Sequence, residues 1–474
     1  MKSENTRPVC VRFAPSPTGH LHIGSLRTAL FNWLFARHYK GTFLVRIEDT
    51  DLVRSTKEFE DSLMQSLKWS GIISDRELMH QSARTSLYQD IANKLVAKGK
   101  AYKCYCTQEE LQKKRERAEA AGLMYQYDKH CRNLENSLEH EGKPYVIRFK
   151  VEILTPLFTF EDRIKGEVSI PAEQIDDFVI LRTDGTVTYN FAVVVDDQEM
   201  NITHIIRGEE HLFNTPKQIL LYQALDFQPP VFAHIPLILG PSGQKLSKRD
   251  GATSVVEYKK EGYLPEALSN YLVRLGWAHG DQEIFTQKEM IEYFSLENIH
   301  ASGAKFDIEK LKWVNSVYIK KLTPQEIIHH FEVDLEKDLV ATTPDWTQEQ
   351  RFAIIALYQD RVSTLKELFD HVLQVYFLPV AYDWENLRKL IAKDAVIILQ
   401  LLQQEFANLE FEKSTLNEKV KAFCKSHEYK MSDVTQLLRF AMIGVLSGPS
   451  VFEMMTILGK QEVQKRISMV ITEI

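Results

Sequence analysis

A β-branched run from Val9 to Phe13 meets a turn dense in proline and glycine, and an amphipathic stretch opens directly after it at Leu26. The run is short, apolar and bounded by Pro15 and Pro17, which predicts a buried strand. Leu26, Ala29, Leu30, Trp33 and Leu34 then recur at helical spacing, with Gly41 as a natural helix stop. Phe43 to Ile47 reads as a second strand. Strand, turn, helix and strand in this order make a βαβ unit, and parallel strands so connected require a sheet covered by helices.

The turn itself, Ala14-Pro15-Ser16-Pro17-Thr18-Gly19-His20-Leu21-His22-Ile23-Gly24-Ser25, carries a histidine and a small residue at the helix start. Helix N-termini present free N–H groups to anions, so the spot suits a nucleotide phosphate. Far downstream, Lys245-Leu246-Ser247-Lys248-Arg249 offers two lysines to the same phosphates. Taken singly, a basic run is commonly a solvated face, and His22 could equally be a satisfied turn residue. Paired on one sheet, the two segments read as a site that makes an adenylate. His20 reads as a surface turn residue.

With 474 residues, 44% of them hydrophobic and 26% charged, the chain has the composition of an ordinary folded protein. That length holds about two to four domains. No long uninterrupted apolar run occurs, so no membrane span is expected. The first residues lack secretory or transit character, which predicts a cytoplasmic protein. Five cysteines in a chain this long point to reduced thiols or a metal site rather than a disulfide framework. A net charge of −7 argues against a bulk polycation, yet leaves room for local basic patches that read a folded RNA.

Around Ala101 the character changes. Cysteines and charge appear, followed by strand-like runs at Tyr145–Val151 and Phe178–Leu181. A turn at Asp184-Gly185 leads into Val187–Val195, which reads as a hairpin. Val231 to Leu239 reads as a return to the parallel sheet ahead of the lysine segment. Helical signals dominate after residue 260. Pro265 suits a first turn, Leu268, Leu272 and Leu275 line one face, and Gly276 ends it. Thr347 and Gln350 have capping-box spacing, Asn386–Glu405 and Met431–Leu446 are periodic, and no strand alternation follows residue 320. The expected fold is thus α/β: a Rossmann-like parallel sheet split by an inserted α+β domain and followed by an all-helical C-terminal region.

At this level of detail the chain resembles the bacterial glutamyl-tRNA synthetases, a branch of the class I aminoacyl-tRNA synthetases. The resemblance rests on Arg12 to Gly24, Arg46-Ile47-Glu48-Asp49-Thr50-Asp51, Tyr102-Lys103-Cys104-Tyr105-Cys106, Thr188-Tyr189-Asn190-Phe191-Ala192 with Asp196-Asp197, and Ile206-Arg207-Gly208-Glu209-Glu210-His211. The lysine segment, Gly262 to Leu268, Thr364-Leu365-Lys366-Glu367 and Leu438-Arg439-Phe440-Ala441 extend it over nearly the whole chain. It implies a catalytic domain in two halves, 1–100 and 186–255, an acceptor-end-binding insertion at 101–185, a helical stem-contact domain at 256–322 and a helical anticodon-binding domain at 323–474.

The implied reaction has two steps. The α-carboxylate of L-glutamate attacks the α-phosphorus of ATP, giving glutamyl-adenylate and pyrophosphate; the terminal ribose of tRNA(Glu) then takes the glutamyl group. Such transfer depends on positioning and charge stabilisation. The resemblance assigns His22, Lys245 and Lys248 to catalysis, with Gly24, Ser25, Glu210 and His211 on the ATP side and magnesium accompanying ATP. Losing one well-aimed donor of this kind costs about 3–4 kcal/mol. Ser25 stands where the wider class has a second histidine. Arg12, Ala14, Ser16, Glu48, Tyr189 and Arg207 are implied as the glutamate pocket; arginine can hold a carboxylate through two parallel N–H bonds, and Glu48 would hold the ammonium.

Cys104, Cys106 and Cys131 resemble the zinc knuckle of some family members, with the fourth ligand open: the usual place is Asn133, and His130 is adjacent. Lys113, Lys114, Arg115 and Arg117 are candidate RNA backbone contacts, and Arg361 is implied in anticodon reading. Cys10 and Cys424 read as buried hydrophobes. A monomer is expected. Two alternatives stay open from sequence: an enzyme that also loads glutamate onto tRNA(Gln), and a non-catalytic RNA-binding paralogue, which the intact lysine and pocket residues disfavour.

Overall fold

The computed structural model describes residues 7–51, 53–123, 125–134, 141–246, 254–379, 381–390 and 394–473. The chain divides into two compact units, Met1–Val256 with Ser269–Ile308, and Glu257–Leu268 with Glu309–Ile474.

The first unit opens as the sequence predicts. Strand β1 (Cys10–Phe13), helix α1 (Ile23–His38) and strand β2 (Thr42–Ile47) form a βαβ unit with β1 and β2 parallel, Arg12 opposite Leu44. Helix α1 is buried on nearly every face, because Phe31, Phe35 and Ala36 join the expected stripe. Its exit differs from expectation. Lys40, not Gly41, takes the left-handed backbone (φ 52°); Gly41 is required because an added Cβ would collide with Val9. Helix α2 (Lys57–Trp69) and strand β3 (Met79–His80) follow, with β3 parallel to β2, and then helix α3 (Thr85–Ala97).

Next come strand β4 (Ala101–Cys104), the charged helix α4 (Gln108–Ala120), and strands β5 (Val146–Phe149), β6 (Leu157–Asp162), β7 (Gly166–Pro171) and β8 (Val179–Leu181). Strands β4, β5 and β8 make an antiparallel sheet of their own. The expected hairpin at Val187–Val195 is instead helix α5 (Tyr189–Glu199). Phe191 through Asp197 are all buried, so this helix is enclosed round its circumference and lacks the period that would have revealed it.

Strand β9 (His204–Gly208), helix α6 (Thr215–Ala224) and strand β10 (Val231–Ile235) complete the parallel part. The sheet order is β7-β6-β10-β9, so the antiparallel β6–β7 hairpin joins the same sheet as β9 and β10. The edge of β9 meets β1, where the Thr203 N–H donates to the Cys10 carbonyl at 2.9 Å. A short parallel pair, β11 (Ile238–Leu239) and β12 (Ala304–Lys305), closes this unit. Buried Arg27 on α1 donates to the carbonyls of Leu275 (2.7 Å) and Pro236. That arginine ties the first helix to the segments that follow β10.

Among the described residues of the second unit no strand occurs. Its helices begin on the predicted signals: Thr347 and Gln350 make the expected capping box, and Thr323 with Glu326 makes another. Gly262 (φ 82°) lies so close to the Leu365 and Lys366 amides that a side chain would not fit, and its carbonyl accepts from Leu365 N at 2.9 Å. Two motifs about a hundred residues apart thereby meet. Among the described residues no helix is long and apolar enough to cross a membrane.

Candidate active site

The turn after β1 and the C-terminal ends of β2 and β9 surround a cavity of about 540 Å³. Arg12, Ala14, Ser16, His22, Ser25, Glu48, Tyr189, Arg207, Glu210 and His211 all line it. Parallel strands present their C-terminal ends to one edge, which is why residues 12, 48 and 207 converge. A second cavity of about 110 Å³ shares His22, Ser25 and Glu210 and adds Gly24 and Lys245. Lys248 lies outside the described residues.

His22 is the N-cap of α1. Its Nδ1 accepts from the amides of Gly24 (3.1 Å) and Ser25 (3.4 Å). Those amides, expected to face a phosphate, are thus turned onto the imidazole. Gly24 permits this close approach, since an added Cβ would sit only 3.0 Å from the ring. With Nδ1 accepting, Nε2 carries the proton, and it lies 3.1 Å from the Ser25 hydroxyl. Ser25 therefore positions His22 from the place where the wider class has another histidine. The ring keeps an exposed edge in the cleft, but the surrounding atoms still desolvate it. This desolvation, then nearby Lys245, lowers its pKa and keeps it neutral. His20 behaves as expected, exposed and bonded to the Ser62 hydroxyl at 2.8 Å.

The other side of the cavity is a buried charge network. Arg12 donates from Nε and Nη2 to the two carboxylate oxygens of Asp197, at 3.1 and 3.2 Å. Arg46, fully buried, donates to the same Asp197 and, at 3.1 Å, to Glu48. Beneath them Asp196 accepts from Gln81, Arg84 and Tyr88 at 2.8 Å. Burial works against the Asp197 carboxylate, but Arg12 and Arg46 outweigh it and hold its pKa low. At Glu48 burial wins over the same Arg46, and the pKa rises. A carboxylate held so is short of positive charge, which suits an incoming ammonium. Tyr189 Oη lies 3.2 Å from His211 Nδ1. Burial, then Arg207, depresses His211 to about 4.

Arg46, Asp196 and Asp197 had no assigned role in the sequence reading. A signal was there: two adjacent aspartates closing an apolar run, and an arginine inside a strand, need partners once buried.

At the far end of β4, the ligand atoms of Cys104, Cys106 and Cys131 lie within 4.8 Å of one another. Tyr127 fills the fourth corner, its hydroxyl 3.3 Å from Cys104 Sγ and 3.6 Å from Cys106 Sγ. His130 and Asn133 are exposed and outside this cluster. Arg148 lies over the Tyr127 ring at 3.8 Å and donates to Cys104 Sγ at 3.3 Å. Burial raises the Cys106 thiol to about 12, whereas Tyr127 and Arg148 outweigh burial at Cys104 and lower it. Three cysteine sulfurs around one point supply donors that zinc favours, and the Tyr127 hydroxyl stands beside them. Cys10 and Cys424 are buried as expected.

On α4, Lys113, Arg115 and Arg117 are exposed, while Lys114 pairs with Asp128 at 2.7 Å. In the second unit Arg361 lines a cavity of about 750 Å³ with Asp360, Lys413 and Glu453.

Residues 8–313 match the family described as tRNA synthetases class I (E and Q), catalytic domain, and residues 319–471 match an anticodon binding domain. The chain is 46% identical over 471 residues to a glutamate–tRNA ligase of Thermodesulfovibrio yellowstonii, covering 98% of this chain and 99% of that one. It is 44% identical over 464 residues to the glutamate–tRNA ligase of Geotalea uraniireducens, covering 97% of each. A solved glutamate tRNA ligase from Elizabethkingia meningosepticum, in complex with its amino acid, superposes with a TM-score of 0.89 at 34% identity, covering 98% of this chain and 99% of that one.

Proposed function

Since the chain belongs to the class I tRNA synthetases for glutamate and glutamine, we propose how its residues carry out the ligation of glutamate to tRNA(Glu). The reaction activates L-glutamate with ATP and transfers it to the 3′ end of tRNA(Glu). We infer that it works in the cytoplasm.

Glutamate occupies the larger cavity. Arg12 and Arg207 face its two carboxylates, and Glu48 holds its ammonium. Because Asp197 grips two nitrogens of Arg12, the guanidinium meets the substrate already oriented, with no side-chain entropy left to lose. Glutamine is disfavoured because a neutral amide leaves a buried arginine without its counter-charge. ATP lies along the smaller cavity, its phosphates toward His22 and Lys245, with Lys248 of the same segment as a further cation. These donors stabilise the charge that builds as the glutamate carboxylate attacks the α-phosphorus and pyrophosphate leaves. Magnesium, when bound with ATP, neutralises phosphate charge. Next, a ribose hydroxyl of the terminal adenosine attacks the activated carbonyl, and AMP departs.

The observation that carries this reading is the single cavity in which two buried arginines and Glu48 border the His22 turn. Aminoacylation of tRNA(Glu) with radiolabelled glutamate tests it. Lys248→Ala should abolish charging; robust charging by that variant would remove the lysine segment from the mechanism.

Cys104, Cys106 and Cys131, with Tyr127 beside them, hold a structural zinc that braces the inserted region. Metal analysis of protein purified without chelator should find about one zinc per chain, lost in Cys131→Ser; metal-free wild-type protein would refute it. The basic face of α4 meets the acceptor end, and Arg361 reads the anticodon from the helical unit.

A further inference from the structure

Three buried residues from three neighbouring strands form a chain that ends in the glutamate cavity. Asp162 closes β6, His234 lies on β10 and Arg207 on β9, with relative exposures of 3%, 0% and 5%. The strands are adjacent in the order β6-β10-β9, and His234 stands directly opposite Arg207 in the ladder. Asp162 Oδ2 lies 2.6 Å from His234 Nδ1, and the same carboxylate accepts the His234 backbone N–H at 3.1 Å. On the other ring nitrogen, Nε2 lies 3.1 Å from Arg207 Nε and 3.2 Å from the Thr215 hydroxyl. Thr215 Oγ1 in turn accepts from Arg207 Nη2 at 2.9 Å.

Only one arrangement of protons satisfies every contact. Arg207 Nε–H is always a donor, so His234 Nε2 must be a bare acceptor. The ring proton then sits on Nδ1 and is donated to Asp162. Thr215 Oγ1 takes a hydrogen from Arg207 Nη2 and lies 3.2 Å from Nε2, whose single lone pair it shares with Arg207 Nε–H. Arg207 is thereby held by Nε and Nη2, and Nη1 is left buried without a protein partner while the residue lines the glutamate cavity. If His234 carried its proton on Nε2, two N–H groups would oppose each other and the guanidinium would be pushed out of line.

We propose that Asp162 and His234 are positioning residues for glutamate: the carboxylate selects the His234 tautomer that clamps Arg207 through Nε in the wall of the glutamate cavity. The proposal rests on the reading of Arg207 as a glutamate ligand. It also gives the β6–β7 hairpin a part in the amino-acid site. The turn of that hairpin is fastened at a second point, where Lys165 pairs with Glu209, next to Glu210 of the ATP side. One hairpin from the inserted region thus touches the supports of both substrates' residues.

The full-length chain tests this in two ways. Nitrogen-15 NMR of the histidine-labelled wild-type protein should show His234 neutral, with the proton on Nδ1 and Nε2 bare. A proton on Nε2 overturns the proposal without need of any variant. In the second test, Asp162→Asn lets an amide N–H face Nδ1 and drive the proton to Nε2, a tautomer error of the kind known to disable an Asp–His pair. The KM for glutamate should rise about 10–100-fold, as for a ligand moved by a fraction of an ångström, with the KM for ATP within about twofold. Because Asp162 acts through Arg207, Asp162→Asn should add nothing to Arg207→Lys in the double variant. Additive effects, or an unchanged glutamate KM in Asp162→Asn, overturn the proposal. Should Arg207→Lys alone leave the glutamate KM unchanged, the assignment of Arg207 to glutamate fails first, and the NMR result still decides the tautomer.

Discussion

The two sides of the cleft are built in opposite ways. On the side proposed for glutamate, Arg12, Arg46, Glu48 and Asp197 are buried and bonded to one another before any substrate arrives. On the side proposed for the nucleotide, the His22 ring keeps an exposed edge, its side chain bonds within its own turn, and it lines an open cleft with Lys245. The contrast follows from what each side must recognise. An amino acid is small and is told from its amide by a single charge, so its site needs rigid, desolvated partners. A triphosphate brings several charges of its own and can be met by donors at a helix start and in a loop.

If this contrast holds, disturbing the buried side should damage folding as well as binding. Asp197→Ala strips Arg12 of the carboxylate that grips it and leaves Arg46 to Glu48 and Asp196. It should cost about 3–5 kcal/mol of stability, read by urea unfolding, and abolish measurable glutamate binding by calorimetry. Unchanged stability would mean that the network is wetter than its burial implies.

The nucleotide side should lose activity while folding stays intact. His22→Asn keeps an acceptor for the helix cap but removes the Nε2 donor. The expected result is a kcat lower by about 10²–10³-fold with little change in melting temperature. A matching loss of stability would make His22 a structural cap first.

Acidification separates the sides less sharply. His204 and His211 are both pushed to about 4, mainly by burial. Their folded-state values lie below the unfolded one, so the unfolded chain takes up protons first. The stability they contribute is full above about pH 6.5 and is lost as pH falls toward 4. Glu48, whose folded value is raised, acts in the opposite sense. Stability read by urea unfolding should therefore fall between pH 7 and pH 5, by about 2 kcal/mol for each histidine, and His211→Gln should shrink that fall.

A far milder effect is expected at the solvated basic face of α4. Lys113→Ala should lower tRNA affinity slightly and make the log–log salt slope shallower by at most about 0.9. An unaltered slope would place the RNA backbone elsewhere.

Legibility in the sequence followed the range of the interaction. The β1–α1–β2 unit could be read because strand burial, helical spacing and turn residues lie within forty neighbouring positions. Helix α5 could not. Val193, Val194 and Val195 look like strand residues, and burial on every side erased the helical period. The thiols of Cys104, Cys106 and Cys131 were visible as a set, but Tyr127 was not, since tyrosine seldom signals a metal site and only packing brings its hydroxyl to the sulfurs. Asp162 and His234 carried no local sign at all.

Local chemistry along the chain thus dictated a parallel α/β scaffold, its histidine-bearing turn and the helical C-terminal third, while the reaction was implied by the resemblance of the ordered motifs. Folding alone settled which charged groups meet inside: Asp197 with Arg12 and Arg46, Tyr127 with the thiols, Asp162 with His234 and Arg207. A hydrogen bond reaches about 3 Å, and no spacing rule along a chain says which distant residues a twisted sheet will carry that close.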